Sequence, residues 1–219
     1  MTPLRGLSAQ RIDMDFNRII NKYYPEENAL KRILLVHSRA VADKALQICD
    51  AHPELHLDRQ FVEEAAMLHD IGIFRCDAPG IECFGTEPYV CHGQIGAEIM
   101  RKEGFPRHAR VCERHTGAGL TVAEILSQHL PITIPPPPSV NTSAKQEKCS
   151  HSTLRTPHSS IYEPFLPETL EEQLICYADK FFSKTRPEIE KTVEQAERSL
   201  AKFGEEGVHR FQQWHALFA

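Results

Sequence analysis

The stretch from Asp58 to Gly72 reads DRQFVEEAAMLHDIG and joins a helical pattern to two adjacent metal-binding residue types. Asp58 suits a helix N-cap, and apolar residues then recur at helical spacing as far as His69. Gly72 is typical of the residues that follow a helix end. We therefore predict a helix from Asp58 to about His69, with His69 on its inward face. Buried imidazole and carboxylate groups are costly unless they are paired or bound to metal.

Four more histidine and aspartate residues fall on or beside predicted helices. They are His37 within helix 26–51, His92 at the start of helix 92–102, His115 at the end of helix 106–115 and Asp179 within helix 169–184. Each also fits a structural role, since His37 can be a hydrogen-bonded core histidine and Asp179 can form a salt bridge. The chain has only 12 histidines, and one metal centre accounts for the six candidate residues together more economically than six separate structural roles. Nitrogen and oxygen ligands without thiolates suit divalent first-row metals.

The rest of the chain predicts an all-α fold of eight or nine helices in a single domain, 1–219. The remaining predicted helices cover residues 13–23, 121–128, 187–203 and 204–218. Proline and glycine residues make 73–90 a predicted loop, and no alternating run predicts a strand. The segment 131–167, which includes a proline run, predicts a mobile insertion loop.

Composition excludes several classes of protein. With 219 residues, 41% of them apolar and 25% charged, the chain is typical of soluble globular proteins. It lacks both an apolar run long enough to span a membrane and a signal-peptide core at its start, so we expect a cytoplasmic protein. A net charge of −5 argues against a broad nucleic-acid footprint. The seven cysteines include no C-x-x-C pair, which favours reduced thiols over a thiolate zinc site.

These motifs together resemble the HD superfamily of metal-dependent phosphohydrolases in its H-D-I-G form. The matching positions are His37, Leu68-His69-Asp70-Ile71-Gly72, His92 to Glu98, Arg114-His115-Thr116-Gly117 and Tyr177-Ala178-Asp179-Lys180. The likeness is greatest to small bacterial HD proteins, including the symmetrical diadenosine tetraphosphate hydrolases, which carry a di-iron centre. It implies an HD-type helical bundle with a metal-binding core at 26–185 and C-terminal helices at 187–218.

The resemblance also implies roles for individual residues. It makes His37, His69, Asp70 and Asp179 the core metal ligands, with Asp70 as the bridge, and His92 and His115 ligands of a second metal or of the substrate phosphate. One or two ions of iron, manganese, zinc, cobalt or nickel are expected. Two positions depart from the tetraphosphate hydrolases: Ile73 stands where they have a lysine, and Thr185, between Lys184 and Arg186, stands where they have an arginine.

The sequence thus predicts a metal-dependent phosphohydrolase or phosphodiesterase in which metal-activated water cleaves a small phosphorylated substrate, in particular a nucleotide. Asp70 and Lys180 are the predicted catalytic residues, and His92, His115, Arg114 and Lys184 the predicted substrate contacts; Arg75 is a further candidate cation. Two alternatives stay open. One is a non-catalytic metal- and nucleotide-binding sensor, and the other is a helical interaction protein that forms a homodimer through 187–218.

Overall fold

A computed structural model describes residues 14–137 and 162–219, and in these residues it confirms the predicted all-α architecture. Its nine α-helices are α1 (Phe16–Tyr23), α2 (Ala29–Ala51), α3 (Arg59–Leu68), α4 (His92–Lys102), α5 (Pro106–Arg114), α6 (Val122–Ser127), α7 (Leu170–Asp179), α8 (Val193–Leu200) and α9 (Glu205–Phe218). A short antiparallel hairpin of β1 (Asp77–Ala78) and β2 (Cys83–Phe84) lies between α3 and α4. The prediction of a strand-free loop at 73–90 was wrong at this hairpin, because two-residue strands leave no alternating pattern.

Side-chain caps fix where several helices begin. Asp58 accepts a hydrogen bond from the backbone N–H of Phe61 and starts α3 as predicted. Asn28 caps α2 in the same way, so this helix begins at Ala29 rather than at residue 26. Such caps satisfy backbone donors that have no partner within the helix.

Two predicted helices, 169–184 and 187–203, are shorter than the periodicity suggested. The first ends at Asp179, and the second begins only at Val193. The backbone N–H of Lys191 donates to the carbonyl oxygen of Phe181 (2.7 Å), which closes residues 181–191 into a loop. This loop carries Lys184 back toward the C-terminal end of α7.

Most of the predicted insertion at 131–167 lies outside the described residues, which leave out 138–161. Its two described ends lie near α6. Leu120 donates a backbone hydrogen bond to Phe165 (3.3 Å), and both pack with Ile125 in a small separate hydrophobic cluster.

The main hydrophobic core is formed largely by side chains of α2, α3, α4, α5 and α7. Helix α2 packs along α3, α4 packs along α5, and α7 contacts α2, α3, α5 and α9. Fully buried side chains from these helices include Leu34, Val41, Val62, Leu68 and Ile175. Burial stabilises each by about 1.5–3 kcal/mol relative to an exposed side chain. The packing therefore holds the ends of α3, α5 and α7 and the start of α4 around one point beside α2.

Two further observations concern the described residues only. Their six cysteines form no disulfide, and Cys149 lies outside them. Within 14–137 and 162–219, none of the helices combines the length and the apolar character needed to cross a membrane.

Candidate metal centre

The structure brings all six sequence-predicted metal ligands together. They are His37 in the middle of α2, His69 and Asp70 directly after α3, His92 at the first position of α4, His115 directly after α5, and Asp179 at the last position of α7. All six are buried, and His37, His69 and Asp70 have no exposed surface. Residues far apart in the chain therefore converge in one enclosed polar cluster.

One half of the cluster surrounds the Oδ2 atom of Asp70. This oxygen lies 3.1 Å from Nε2 of His37 and 3.1 Å from Nε2 of His69. Asp179 completes the group, with its Oδ1 atom 3.0 Å from Nε2 of His37 and 3.5 Å from Nε2 of His69. Two imidazoles and two carboxylates thus face a common space.

The other half surrounds the second oxygen of the same aspartate. Oδ1 of Asp70 lies 3.4 Å from Nε2 of His92 and 3.3 Å from Nε2 of His115. The two Nε2 atoms of these histidines are 3.0 Å apart. Because its two oxygens face two different sets of ligands, Asp70 is positioned so that it could bridge two cations.

The chemistry of these atoms fits a divalent metal. The Oδ1 atom of Asp70 and the Nε2 atoms of His37 and His69 are buried and make no hydrogen bond of good geometry, whereas Oδ2 of Asp70 has Lys184 as an ion-pair partner. Buried polar atoms are rarely left in this state, and each costs about 1–3 kcal/mol. A cation between them would satisfy them together, and this donor set suits iron, manganese, cobalt and zinc alike.

Three of the histidines are oriented by the same local device. The Nδ1 atom of each donates to the carbonyl oxygen three residues earlier: His69 to Ala66 (2.6 Å), His92 to Tyr89 (2.6 Å) and His115 to Cys112 (2.7 Å). In the neutral ring, this bond places the single proton on Nδ1 and leaves the lone pair of Nε2 for a metal. Sequence reasoning missed the device, although the signal was present, since helix termini have carbonyls without partners within the helix.

Two lysines neutralise the carboxylates. Nζ of Lys184 lies 2.6 Å from Oδ2 of Asp70, and Nζ of Lys180 lies 2.6 Å from Oδ2 of Asp179 and donates to the carbonyl oxygen of His115 (3.0 Å). Burial alone would raise the pKa of Asp70, but His69 and Lys184 hold it well below its usual value. Lys180 contributes most to the same lowering of the pKa of Asp179, again against burial.

The histidines of the two halves differ in charge. Burial lowers the pKa of His92 to about 3 and also lowers the pKa of His115, so both rings are neutral near pH 7. Burial lowers the pKa of His69 as well, but Asp70 and Asp179 outweigh it and raise that pKa to about 9. Near neutral pH, His69 therefore carries a proton that a metal has to displace.

Metal binding should consequently release protons. We expect Mn²⁺ binding at pH 7.5 to release about one proton from His69, and Mn²⁺ affinity to rise about tenfold per pH unit up to pH 9. The sign follows because His69 binds metal only as the neutral ring. Calorimetric titration in buffers of different ionisation enthalpy measures the number of protons, and proton uptake or no exchange would contradict the expectation.

The structure does not bring two predicted cations to this centre. The guanidinium of Arg114 donates to the carbonyl oxygen of Leu166 (2.9 Å) and lies 3.0 Å from a carboxylate oxygen of Glu168. Arg75 is nearly half exposed and lies 3.7 Å from Glu98. Both therefore serve as ion-pairing residues between segments of the fold, and the geometry gives no support to a substrate contact by either one.

A cavity of about 440 Å³ opens beside the cluster; it is called the central cavity below. Its polar end is lined by Asp179, Lys180 and Lys184, and its apolar walls include Ile81 and Leu200. Tyr89 also lines it, and its ring stacks on His92 at 4.7 Å. The cavity gives a small molecule access to the lysines at the edge of the cluster.

Comparison with known proteins identifies the class. The HD domain family matches residues 34–183, so the chain belongs to the HD domain family. The match contains all six candidate ligands and confirms the superfamily predicted from the sequence. The finer likeness to diadenosine tetraphosphate hydrolases finds no support among the relatives.

The chain is 29% identical over 180 residues to an uncharacterized protein of Methanocaldococcus jannaschii. The aligned region covers 80% of this chain and 82% of the relative. It is 28% identical over 185 residues to a tRNA (cytidine(56)-2'-O)-methyltransferase of Picrophilus torridus, covering 80% of this chain and 41% of that protein. A protein of the same name from Thermoplasma volcanium is 26% identical over 151 residues, 68% of this chain and 32% of that protein. The chain thus spans less than half the length of these two methyltransferases. No solved structure matches it significantly.

Proposed function

We propose that this protein is a metal-dependent phosphohydrolase that cleaves a phosphate ester of a small substrate, in particular a nucleotide. The observation that carries the proposal is the position of Asp70, whose two oxygens face two separate groups of buried ligands. Two lysines stand where this cluster meets the central cavity. Membership of the HD domain family supports the same chemistry.

The candidate ligands form two groups that share Asp70. His37, His69, Asp70 and Asp179 would hold one ion, and Asp70, His92 and His115 a second. A bound metal supplies Lewis acidity and lowers the pKa of a water molecule toward neutrality. Burial of the whole cluster keeps bulk water away and strengthens each electrostatic contact in the site.

Lys180 and Lys184 provide the contacts to the phosphate. In the structure, their ammonium groups form ion pairs with Asp179 and Asp70. Once those carboxylates bind cations, the ammonium groups are free to turn toward the central cavity that they line. There they would stabilise the negative charge on the non-bridging oxygens of the phosphate during attack.

An assay of a panel of phosphate esters with added Mn²⁺ or Fe²⁺ tests the proposal. We expect hydrolysis of at least one nucleotide, its loss in chelator and its recovery when metal is returned. Chelator should also lower the melting temperature, because a ligand that binds only the folded state stabilises it. Tight metal and nucleotide binding without any turnover would contradict the enzyme and support the sensor.

The methyltransferase activity in the names of two relatives is not proposed for this chain. Those names describe proteins of which the chain matches only 41% and 32%. The buried cluster of histidines and aspartates is built for a cation rather than for transfer of a methyl group.

A further inference from the structure

A second cavity, of about 380 Å³, lies between the 183–191 loop and α8 and is called the distal cleft below. Four cations line it: Arg186, Lys191, Arg198 and Lys202. No aspartate or glutamate is among its lining residues in the described part of the chain. A purely cationic cleft contrasts with the net charge of −5 of the whole chain.

These cations are available to a ligand. Among residues 14–137 and 162–219, no carboxylate lies within ion-pairing distance of Arg186, Arg198 or Lys202. Several other surface arginines are paired, for example Arg59 with Asp50 at 3.0 Å. All three unpaired cations are exposed, and Glu194, whose charge interacts with that of Arg198, does not line the cleft.

The distal cleft adjoins the central cavity. Ser183, Lys191 and Ser199 line both of them. Leu200 and Phe203 are among the apolar side chains that line the central cavity. A ligand that spans both cavities would therefore contact the cations of the cleft, an apolar wall and the two lysines at the metal centre.

Lys191 lines both cavities, and its pKa is lowered by burial and by the positive charge around it. Burial lowers its pKa, and Lys180, Lys184 and Lys202 lower it further against the opposing effect of Asp179. Positive charge thus accumulates along the path from the centre to the cleft. An anion at the junction would relieve this repulsion.

We propose that the distal cleft binds a second phosphate group of the substrate, so that the preferred substrate is a nucleotide with phosphates at two separate positions. This inference rests on the proposed function, which places the reacting phosphate at the metal centre. Arginine and lysine bind phosphate through charge-assisted hydrogen bonds, and the apolar wall suits a nucleoside between the two anions. The residues of the cleft, apart from Ser183, lie after residue 183, where the match to the HD domain family ends.

The size of the two cavities favours a small molecule over a polynucleotide. About 440 Å³ and 380 Å³ each fall within the range of small-molecule pockets. Polynucleotide surfaces instead carry extended basic stripes, which do not fit a chain with a net charge of −5.

Binding to the metal-loaded protein tests the inference without requiring turnover. The probes are two hydrolysis-resistant analogues, adenosine 5'-phosphorothioate and adenosine 3',5'-bisphosphorothioate, titrated by calorimetry. We expect the second to bind at least tenfold more tightly, a difference of about 1.4 kcal/mol. The double variant R198Q/K202Q should lose this preference. The control R18Q/R32Q removes the same charge from α1 and α2, outside the cleft, and should keep it.

Equal affinity for the two analogues, no binding of either, or an equal loss of both in R198Q/K202Q would overturn the inference. So would tighter binding of an RNA of about twelve nucleotides that also depends on Arg198 and Lys202, since the cleft would then be part of a polynucleotide surface. The two proposals fail separately. A tenfold preference for the bisphosphorothioate without hydrolysis of any ester would contradict only the hydrolase. Hydrolysis without this preference would contradict only the distal subsite.

Discussion

Replacement of Asp70 by asparagine should abolish hydrolysis, with kcat/KM lower by about 1000-fold or more. The aspartate presents one oxygen to His37 and His69 and the other to His92 and His115. An amide keeps the shape but has no charge and puts an NH₂ group against one set of ligands, so it is unable to bridge two cations. We expect the variant to lose metal as well as activity, which elemental analysis of the purified protein measures.

The matched control is Asp77→Asn, the same chemical change at an exposed position seven residues later on β1. Its activity and metal content should stay within about twofold of the wild type. A melting curve of each variant in chelator separates loss of metal from loss of fold. If Asp70→Asn kept both metal and turnover, the bridging role of this carboxylate would be wrong.

Periodicity was enough to predict most of the fold and the inward side of the helices that carry ligands. The stripe that contains His37 and the helix that leads to His69 follow from spacing alone, because a helix repeats its buried face every three or four residues. A buried imidazole or carboxylate on such a face needs a partner. The convergence of His37, Asp70 and Asp179 was therefore predictable from burial cost together with the family resemblance.

Features that depend on contacts distant in sequence were not predictable in this way. The loop that follows α7 is closed by the hydrogen bond from Lys191 to Phe181, which no local pattern reveals. The pairing of Arg114 with Glu168 likewise joins residues on different segments. Local spacing gives each side chain a direction relative to its own helix, whereas its partner is set by how the helices pack.

The two departures from the tetraphosphate hydrolases gain a physical meaning from the structure. Ile73, where they have a lysine, is fully buried in the hydrophobic core. Thr185 replaces their arginine, but the neighbouring Lys184 reaches Asp70 at 2.6 Å. A cation is thus present at the centre, provided by the loop that follows α7.

Replacement of Gly72 by alanine should have a large effect on stability, because the chain that follows α3 packs against the backbone of α4 at this residue. A Cβ atom there would lie 2.3 Å from the carbonyl oxygen of His92 and 2.5 Å from the backbone nitrogen of Gly96. Backbone atoms of a packed helix have no rotamer that relieves such a clash, so α4 must shift. The φ angle of Gly72 is −85°, which alanine adopts readily, so the cost comes from the contact alone.

We expect Gly72→Ala to lower the free energy of unfolding by about 3 kcal/mol in urea denaturation. The control is Gly80→Ala, where an added Cβ meets no atom within 4 Å and stability should stay equal or rise slightly. A shift of α4 carries His92 away from the Oδ1 atom of Asp70, 3.4 Å distant in the native structure. The second cation position should therefore weaken more than the one at His37, His69 and Asp179. If the two alanine variants unfolded at the same urea concentration, the close approach of α4 to Gly72 would not be what holds the two halves of the centre together.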